Sequence, residues 1–310
     1  MSPTTTPPPS AGPTDLLTKS AALRRLELEV RRRLDGRLTG DYVSTAVGSG
    51  SERAGARRYE PGDDARRIDW SLTARSLEAH VRTTEADREL HTLVIVDRSA
   101  SLDFGTARRE KREVVLATLA AFGVLTGRSG NRLGVLIAGG DKLEHLPPRQ
   151  SRAGVLAALS RVYDTPRRDA RPDASSDLAA ALDWAHRTQH HRGQIVVASD
   201  FLDRSDWSSG LRRLALRHRV VAVHITDPRE LALAPVGMLG VVDVETGRHL
   251  HVQTNSSRLR ERYARAARAR HDGIVAAIRR AGADHLHLST DRDWVLDLAD
   301  FVTRRAVTRP

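Results

Sequence analysis

The stretch Thr92-Leu-Val-Ile-Val-Asp-Arg-Ser-Ala-Ser101 decides the fold predicted for this chain of 310 residues. Leu93 to Val96 is a continuous apolar run. It is too short for a buried helix and typical of a strand that is covered on both faces, as in a parallel sheet. Asp97, Ser99 and Ser101 follow the run directly. In an open α/β sheet, ligands bind just beyond the carboxyl ends of the strands, so these three side chains stand where a site would form.

Two interpretations of these oxygens remain open at this point. Carboxylate and hydroxyl groups are ligands that Mg²⁺ prefers. Asp and Ser also commonly cap turns through hydrogen bonds to the backbone, without any metal. The ten residues alone do not choose between the two.

Composition limits the classes of protein to which the chain can belong. The sequence contains no cysteine, which excludes a disulfide framework and any thiolate ligand or nucleophile. The net charge of +11 permits binding to nucleic acid, anionic lipid or an acidic protein. The arginines are spread among Asp and Glu without interleaved aromatic residues, so the pattern does not favour nucleic acid binding. The longest apolar stretch, Val114 to Leu125, is shorter than the roughly 20 residues that a bilayer requires. We therefore expect no membrane span, and the lack of cysteine fits a cytoplasmic protein.

From Thr92 onward, strand and helix patterns alternate along the chain. Alternation of this kind predicts an α/β fold with a doubly wound, mostly parallel sheet. Lys142 to Leu146 predicts an antiparallel edge strand, and Gly237 to Gln253 predicts a hairpin. The main strands are expected near residues 92–97, 132–138, 193–199, 219–226 and 284–289. The helices are expected near residues 107–127, 151–162, 176–189, 207–217, 256–281 and 292–303.

The chain before Thr92 predicts three smaller parts ahead of a main domain at residues 91–305. Residues 1–13 have the composition of a disordered tail, and residues 14–36 have the spacing of an amphipathic helix. Residues 37–90 predict a small β-containing segment. It holds the motif Arg57-Arg-Tyr-Glu-Pro-Gly-Asp-Asp-Ala-Arg-Arg-Ile-Asp-Trp70, in which Pro-Gly indicates a turn. We interpret the motif as a turn that packs Trp70 against the main domain, with a partner surface as the alternative.

Two further strand–helix junctions offer oxygen ligands. Ser176 lies at the start of a predicted helix, and Asp200 follows the buried run Ile195 to Ala198. Loops at the same edge of one sheet would bring the five candidates together, namely Asp97, Ser99, Ser101, Ser176 and Asp200. We therefore predict a site for Mg²⁺, with Mn²⁺ as an alternative ion. The competing interpretation is a set of helix caps and turn serines without metal.

The pattern of these residues resembles a known family. Asp-x-Ser-x-Ser after an apolar strand, a hydroxyl residue before a second helix and an Asp after the next buried strand are similar to the metal-ion-dependent adhesion site (MIDAS) of a von Willebrand factor A domain. With the Arg57–Trp70 motif and Ser101-Leu-Asp-Phe-Gly105, the chain resembles the bacterial family called domain of unknown function 58, over residues 36–305. Two departures are Ser176, where the family usually has Thr, and the lack of the N-terminal membrane helices that many members carry.

The resemblance implies a von Willebrand A-like fold, a Mg²⁺ site and operation beside AAA-type ATPases of the MoxR class. Such pairs are thought to act in chaperone-like or metal-insertion maturation of a client protein. We thus predict a non-enzymatic, metal-dependent protein-interaction module, an adaptor or co-chaperone of a MoxR-type AAA ATPase.

Other functions remain as alternatives to that prediction. One is a Mg²⁺-dependent phosphohydrolase that uses Asp97. The sequence argues against it, because Ser99 occupies the position where a second carboxylate would be needed. Another is nucleic acid binding driven by arginine. The strand pairs His249/His251 and His285/His287 could together bind Zn²⁺, but histidines on a solvent-exposed strand face explain them more simply.

Overall fold

The computed structural model describes residues 13–36, 56–60, 64–65, 68–76, 78–82, 91–107, 109–128, 131–139, 142–167, 178–242 and 249–307. The N-terminal elements are α1 (Pro13–Asp35), β1 (Ala56–Arg58), α2 (Trp70–Ser76) and β2 (His80–Arg82). Next come β3 (His91–Asp97), a 3₁₀ turn (Ala100–Asp103), α3 (Lys111–Arg128), β4 (Arg132–Gly139), β5 (Lys142–Arg149), α4 (Arg152–Asp164) and α5 (Leu178–Thr188). The C-terminal elements are β6 (Gln194–Ser199), α6 (Trp207–Ala215), β7 (Arg219–Thr226), α7 (Pro228–Leu231), β8 (Met238–Val242), β9 (His249–Gln253), α8 (Ser257–Arg280), β10 (Asp284–Ser289) and α9 (Trp294–Val307).

The central sheet has six strands in the order β10-β7-β6-β3-β4-β5. The first five run parallel, and β5 pairs antiparallel with β4 at the edge. Helices cover both faces, with α1, α3, α4 and α9 on one side and α5, α6 and α8 on the other. The predicted doubly wound, mostly parallel sheet and its antiparallel edge strand are therefore confirmed. The predicted hairpin is confirmed as β8 paired with β9.

Strand β3 shows why its sequence is apolar at every position. Val94 and Val96 face the core under α3, whereas Leu93 and Ile95 face the core under α5 and α6. Side chains alternate between the two faces of a strand, so a strand covered on both faces needs apolar residues throughout. All four residues are buried.

The strand order creates a topological switch point between β3 and β6. The chain leaves β3 toward β4 on one side and later returns to lay β6 on the other side. At such a topological switch point the loops beyond the strand ends diverge and leave room for a ligand. Four of the five predicted site residues, Asp97, Ser99, Ser101 and Asp200, lie at or just beyond the ends of β3 and β6.

The segment before β3 differs from its prediction at Trp70. β1 and β2 form a separate two-stranded antiparallel sheet, and Ile68 pairs with Val81 of β2. The Asp69 carboxylate accepts a hydrogen bond from the Leu72 N–H and so caps α2. Trp70, the first residue of α2, is 70% exposed, so the expectation that it packs against the main domain is wrong. Pro61-Gly62 lies outside the described residues.

Within the part of the chain that the structure describes, no helix combines the length and apolarity needed to cross a membrane.

Candidate functional site

Asp97 is held at the end of β3 by two hydrogen bonds. Ser199 Oγ, at the end of β6, donates to Asp97 Oδ2 at 2.6 Å. The backbone N–H of Ser99 donates to Asp97 Oδ1 at 2.8 Å. The carboxylate is 1% exposed, and it bridges the two strands at the switch point. Ser199 was not among the predicted site residues, although its place before Asp200 at the end of an apolar run was a usable signal.

The hydroxyl oxygens of Ser99 and Ser101 lie side by side, 3.0 Å apart. Arg98, between Asp97 and Ser99, is fully buried and directs its guanidinium elsewhere, to Asp103 and to the Thr165 carbonyl oxygen. Burial lowers the pKa of Arg98, although Asp103 opposes this effect. The alternation of Asp97, Ser99 and Ser101 thus gathers three oxygen-bearing side chains in one loop.

Asp200 is engaged differently from the prediction. Lys111 Nζ, at the start of α3, donates to Asp200 Oδ2 at 2.8 Å and also pairs with Glu230. The other oxygen, Asp200 Oδ1, accepts from the Leu202 N–H at 3.1 Å. Lys111 is 0% exposed. Burial alone would lower the pKa of Lys111, but the charges of Asp200 and Glu230 outweigh burial and raise that pKa.

The backbone after Asp200 is strained. Phe201 has a φ of 55°, a left-handed conformation that bulky residues rarely adopt. Its N–H donates to Ser199 Oγ at 2.9 Å, so the strained turn also fixes the hydroxyl that binds Asp97. Strain of this kind persists only where surrounding contacts hold it, and it clusters at functional sites.

Asp227, at the end of β7, ties together three loops around the site. Its carboxylate accepts from the Thr106 N–H, from the Thr290 hydroxyl and from the Arg229 N–H, at 2.8, 2.7 and 2.9 Å. Burial alone would raise the pKa of Asp227, but these hydrogen bonds outweigh burial and hold the pKa below its usual value. The loop after β3 is therefore anchored to the loops after β7 and β10.

Ser176 lies outside the described residues. The helix that follows it, α5, begins at Leu178, whose N–H donates to Asp203 Oδ2 at 2.8 Å. The start of α5 thus adjoins the loop that follows Asp200. Of the predicted residues, the structure brings together Asp97, Ser99 and Ser101 and places Asp200 on the neighbouring strand end. In the described parts of the chain, no three carboxylate or imidazole side chains are grouped so that they could hold a metal ion, so the candidate donors here are chiefly hydroxyls.

The strand histidines are arranged differently from the prediction. β10 adjoins β7, whereas β9 pairs with β8 in a separate sheet, so the proposed pairing of His285/His287 with His249/His251 is wrong. His285 and His287 are instead half-buried beside His224 of β7 and His271 of α8. The ring centroid of His224 lies 5.0 Å from that of His271, 5.6 Å from that of His285 and 5.8 Å from that of His287. A helix covers this strand face, which is why it is not exposed.

Stability is expected to fall on acidification because of this cluster. Burial is the main cause, and the neighbouring imidazoles a smaller one, of a pKa of His285 and of His287 that is lowered from 6.5 to about 4. The unfolded chain therefore binds more protons than the folded chain between pH 6.5 and about 4. The melting temperature should fall as pH is lowered through this window, and the fall should be shallower in His287→Gln. Parallel curves of melting temperature against pH for the two proteins would contradict this expectation.

Residues 55–273 match the family described as "Protein of unknown function DUF58". The chain is 44% identical over 286 residues to the uncharacterized protein Rv1480 of Mycobacterium tuberculosis, covering 92% of this chain and 89% of that protein. The uncharacterized protein Mb1516 of Mycobacterium bovis gives the same figures.

Solved structures show more distant similarity. BatB from Bacteroides thetaiotaomicron is 12% identical, with a TM-score of 0.42, over 71% of this chain and 100% of that one. The VWA domain of SpRpn10 is 14% identical, with a TM-score of 0.38, over 68% of this chain and 94% of that one. The family match and the mycobacterial relatives confirm the family predicted from the motifs: the chain belongs to the DUF58 family.

Proposed function

We propose that this protein is a metal-dependent protein-interaction module that acts as an adaptor or co-chaperone of a MoxR-type AAA ATPase. The observation that carries the proposal is the arrangement at the switch point, where Asp97 is fixed by Ser199 beside the paired hydroxyls of Ser99 and Ser101. These side chains lie at the carboxyl ends of two neighbouring strands, where ligands bind in open α/β sheets.

The donor set in the first loop fits Mg²⁺. Adjacent oxygen ligands of an octahedral Mg²⁺ ion, each about 2.1 Å from the metal, lie about 3 Å apart. The Ser99 and Ser101 oxygens are separated by 3.0 Å. These two hydroxyls would hold the ion, with Asp97 behind them and Ser176 as a further candidate. The ion would supply an open coordination position for a carboxylate of the partner.

Asp200 has a different part in this proposal. Its Oδ2 is occupied by the Lys111 ammonium group, and its Oδ1 accepts a backbone hydrogen bond. Asp200 would therefore act through water rather than bind the ion directly. The positive charge of Lys111 beside Asp200 also weakens attraction for a divalent cation. We accordingly expect modest intrinsic affinity, which a partner carboxylate would raise.

The phosphohydrolase alternative receives less support. A nucleophilic carboxylate must reach its substrate, but Asp97 is 1% exposed. Both of its oxygens also accept hydrogen bonds, from Ser199 and Ser99. Hydrolysis of a general phosphate ester that is lost in Asp97→Asn would support the enzymatic alternative and contradict the adaptor proposal.

The metal site is tested by calorimetry with Mg²⁺ and Mn²⁺ on the full chain. The double variant Ser99→Ala and Ser101→Ala removes both hydroxyls and should weaken Mn²⁺ binding at least tenfold. A matched control is Ser257→Ala, an exposed hydroxyl at the start of α8, which should bind Mn²⁺ as the unmodified protein does. Equal affinity in all three proteins would refute the metal site.

The partner is tested separately with a purified MoxR-type ATPase. Capture of the ATPase should be lost on addition of chelator and in the double serine variant, and it should persist in Ser257→Ala. Capture that is indifferent to chelator would leave an interaction module but refute its dependence on metal. No capture of the ATPase under any condition would refute the proposed partner.

A further inference from the structure

A cavity of about 190 Å³ lies near the amino end of β4, whereas Asp97 lies at the carboxyl end of β3. It is enclosed by α1, the end of α3, the end of β5 and the start of α4. β5 runs antiparallel to β4, so its last residues lie beside the amino end of β4. The wall of the cavity that α1 forms lies outside residues 55–273, the part of the chain that matches the family.

The cavity has an excess of positive charge. Three arginines and one glutamate line it, namely Arg31, Arg149, Arg152 and Glu27. Glu27 is almost fully buried, and its two oxygens accept from Arg31 Nη2 at 3.0 Å and from Arg152 Nη2 at 2.7 Å. One carboxylate thus orients two guanidinium groups across the seam between α1 and α4. Among the described residues, Arg149 has no acidic partner, so its charge is not offset by an ion pair.

Thr126 presents a buried hydroxyl to the same cavity. The residue is 0% exposed, and its Oγ1 has no hydrogen-bond partner. Leaving a buried hydroxyl unpaired is unfavourable, so native proteins rarely do it without reason. A hydroxyl can donate to an anionic oxygen. An acceptor bound in the cavity would satisfy this hydroxyl.

The amino end of α4 adds further donors. This helix has 13 residues and is capped by Ser151, whose Oγ accepts from the Gly154 N–H at 3.1 Å. The N–H groups of Arg152 and Ala153, in the first turn, have no acceptor within the helix, as in any α-helix. Such an end carries partial positive charge and attracts anions.

We propose that this cavity binds a small oxyanion of the class of inorganic phosphate or the phosphate group of a monoester. Arg149, the Thr126 hydroxyl and the first turn of α4 supply the donors on the domain side. Arg31 supplies one from α1, and Glu27 keeps Arg31 and Arg152 in position. Because the anion contacts both α1 and the domain, its binding strengthens the docking of α1.

The probe is inorganic phosphate, titrated into the full chain by calorimetry. Arg149→Gln should weaken phosphate binding at least tenfold, because it removes a charged donor. Arg149 lies at an exposed position. Thr126→Val should weaken binding about threefold to tenfold while leaving the melting temperature unchanged or higher, since it removes only an unpaired hydroxyl. Arg161→Gln, an exposed arginine farther along α4, is the matched control and should bind phosphate normally.

Two further experiments distinguish an organic phosphate from the free ion and test how the anion affects α1. Tighter binding of phenyl phosphate than of inorganic phosphate identifies an organic phosphate, whereas the reverse order identifies the free ion. Amide hydrogen exchange in α1 should slow when phosphate is added to the unmodified protein but not to Arg149→Gln. Absence of phosphate binding at millimolar concentration, or equal binding by Arg149→Gln, Thr126→Val and the control, would overturn the proposal.

Discussion

Replacing Lys111 with Met is expected to destabilise the protein by about 3–5 kcal/mol. The ammonium group is fully buried and pairs with both Asp200 and Glu230. Methionine keeps the apolar stem of the side chain but leaves two carboxylates without their cation. An uncompensated buried charge costs far more than a surface ion pair contributes.

Urea denaturation of the two proteins measures this loss. Arg167→Gln is the control, because Arg167 pairs with Glu110 at an exposed position and its loss should not measurably change stability. Adding Asp200→Asn and Glu230→Gln to Lys111→Met should restore much of the stability, since the buried charges are then removed together. A loss below about 1 kcal/mol in Lys111→Met would show that the triad is solvated rather than buried.

The second large effect is expected at Asp227. Asp227→Ala should lower the free energy of unfolding by about 3 kcal/mol or more. Each hydrogen bond to a buried charged group contributes about 1.5–3 kcal/mol, and the contributions of neighbouring bonds are not fully additive. The variant leaves the Thr106 N–H and the Thr106 and Thr290 hydroxyls without their acceptor. Asp227→Asn keeps the shape and one carbonyl oxygen, so it should lose less.

Denaturant unfolding and hydrogen exchange together check this second expectation. The amide of Thr106 should exchange faster in Asp227→Ala, because its acceptor is gone. Asp183→Asn, at a half-exposed carboxylate paired with Arg213, is the control and should leave both measurements nearly unchanged. Equal stability of the Asp227→Ala and Asp183→Asn proteins would contradict an anchoring role for Asp227.

The sheet was predictable because its signals are local. A run such as Leu93 to Val96 is apolar at every position only where both faces of the strand are covered. The switch from parallel to antiparallel at β5 was marked by the short connection after Gly139. The placement of Asp97, Ser99 and Ser101 followed from the same logic, since strand ends of a parallel sheet meet at one edge.

Other features depend on contacts between distant segments. Lys111 lies 89 residues from Asp200 in the sequence, and only the packing of α3 beside the end of β6 joins them. The histidine cluster needs the pairing of β10 with β7 and the helix that supplies His271. Trp70 ends a motif that predicts packing, yet Asp69 caps α2 there and the Trp70 side chain is exposed.

The α/β class, the parallel sheet and the oxygen-rich loop after β3 were predictable from the amino-acid sequence. They were predictable because side-chain periodicity and strand-end chemistry act within a few residues of the chain. The tertiary structure alone decided that a buried lysine neutralises Asp200 and that an arginine-lined cavity forms against α1. Those outcomes depend on which charged groups lose water together, and that is settled only when helices and strands from distant parts of the chain are packed.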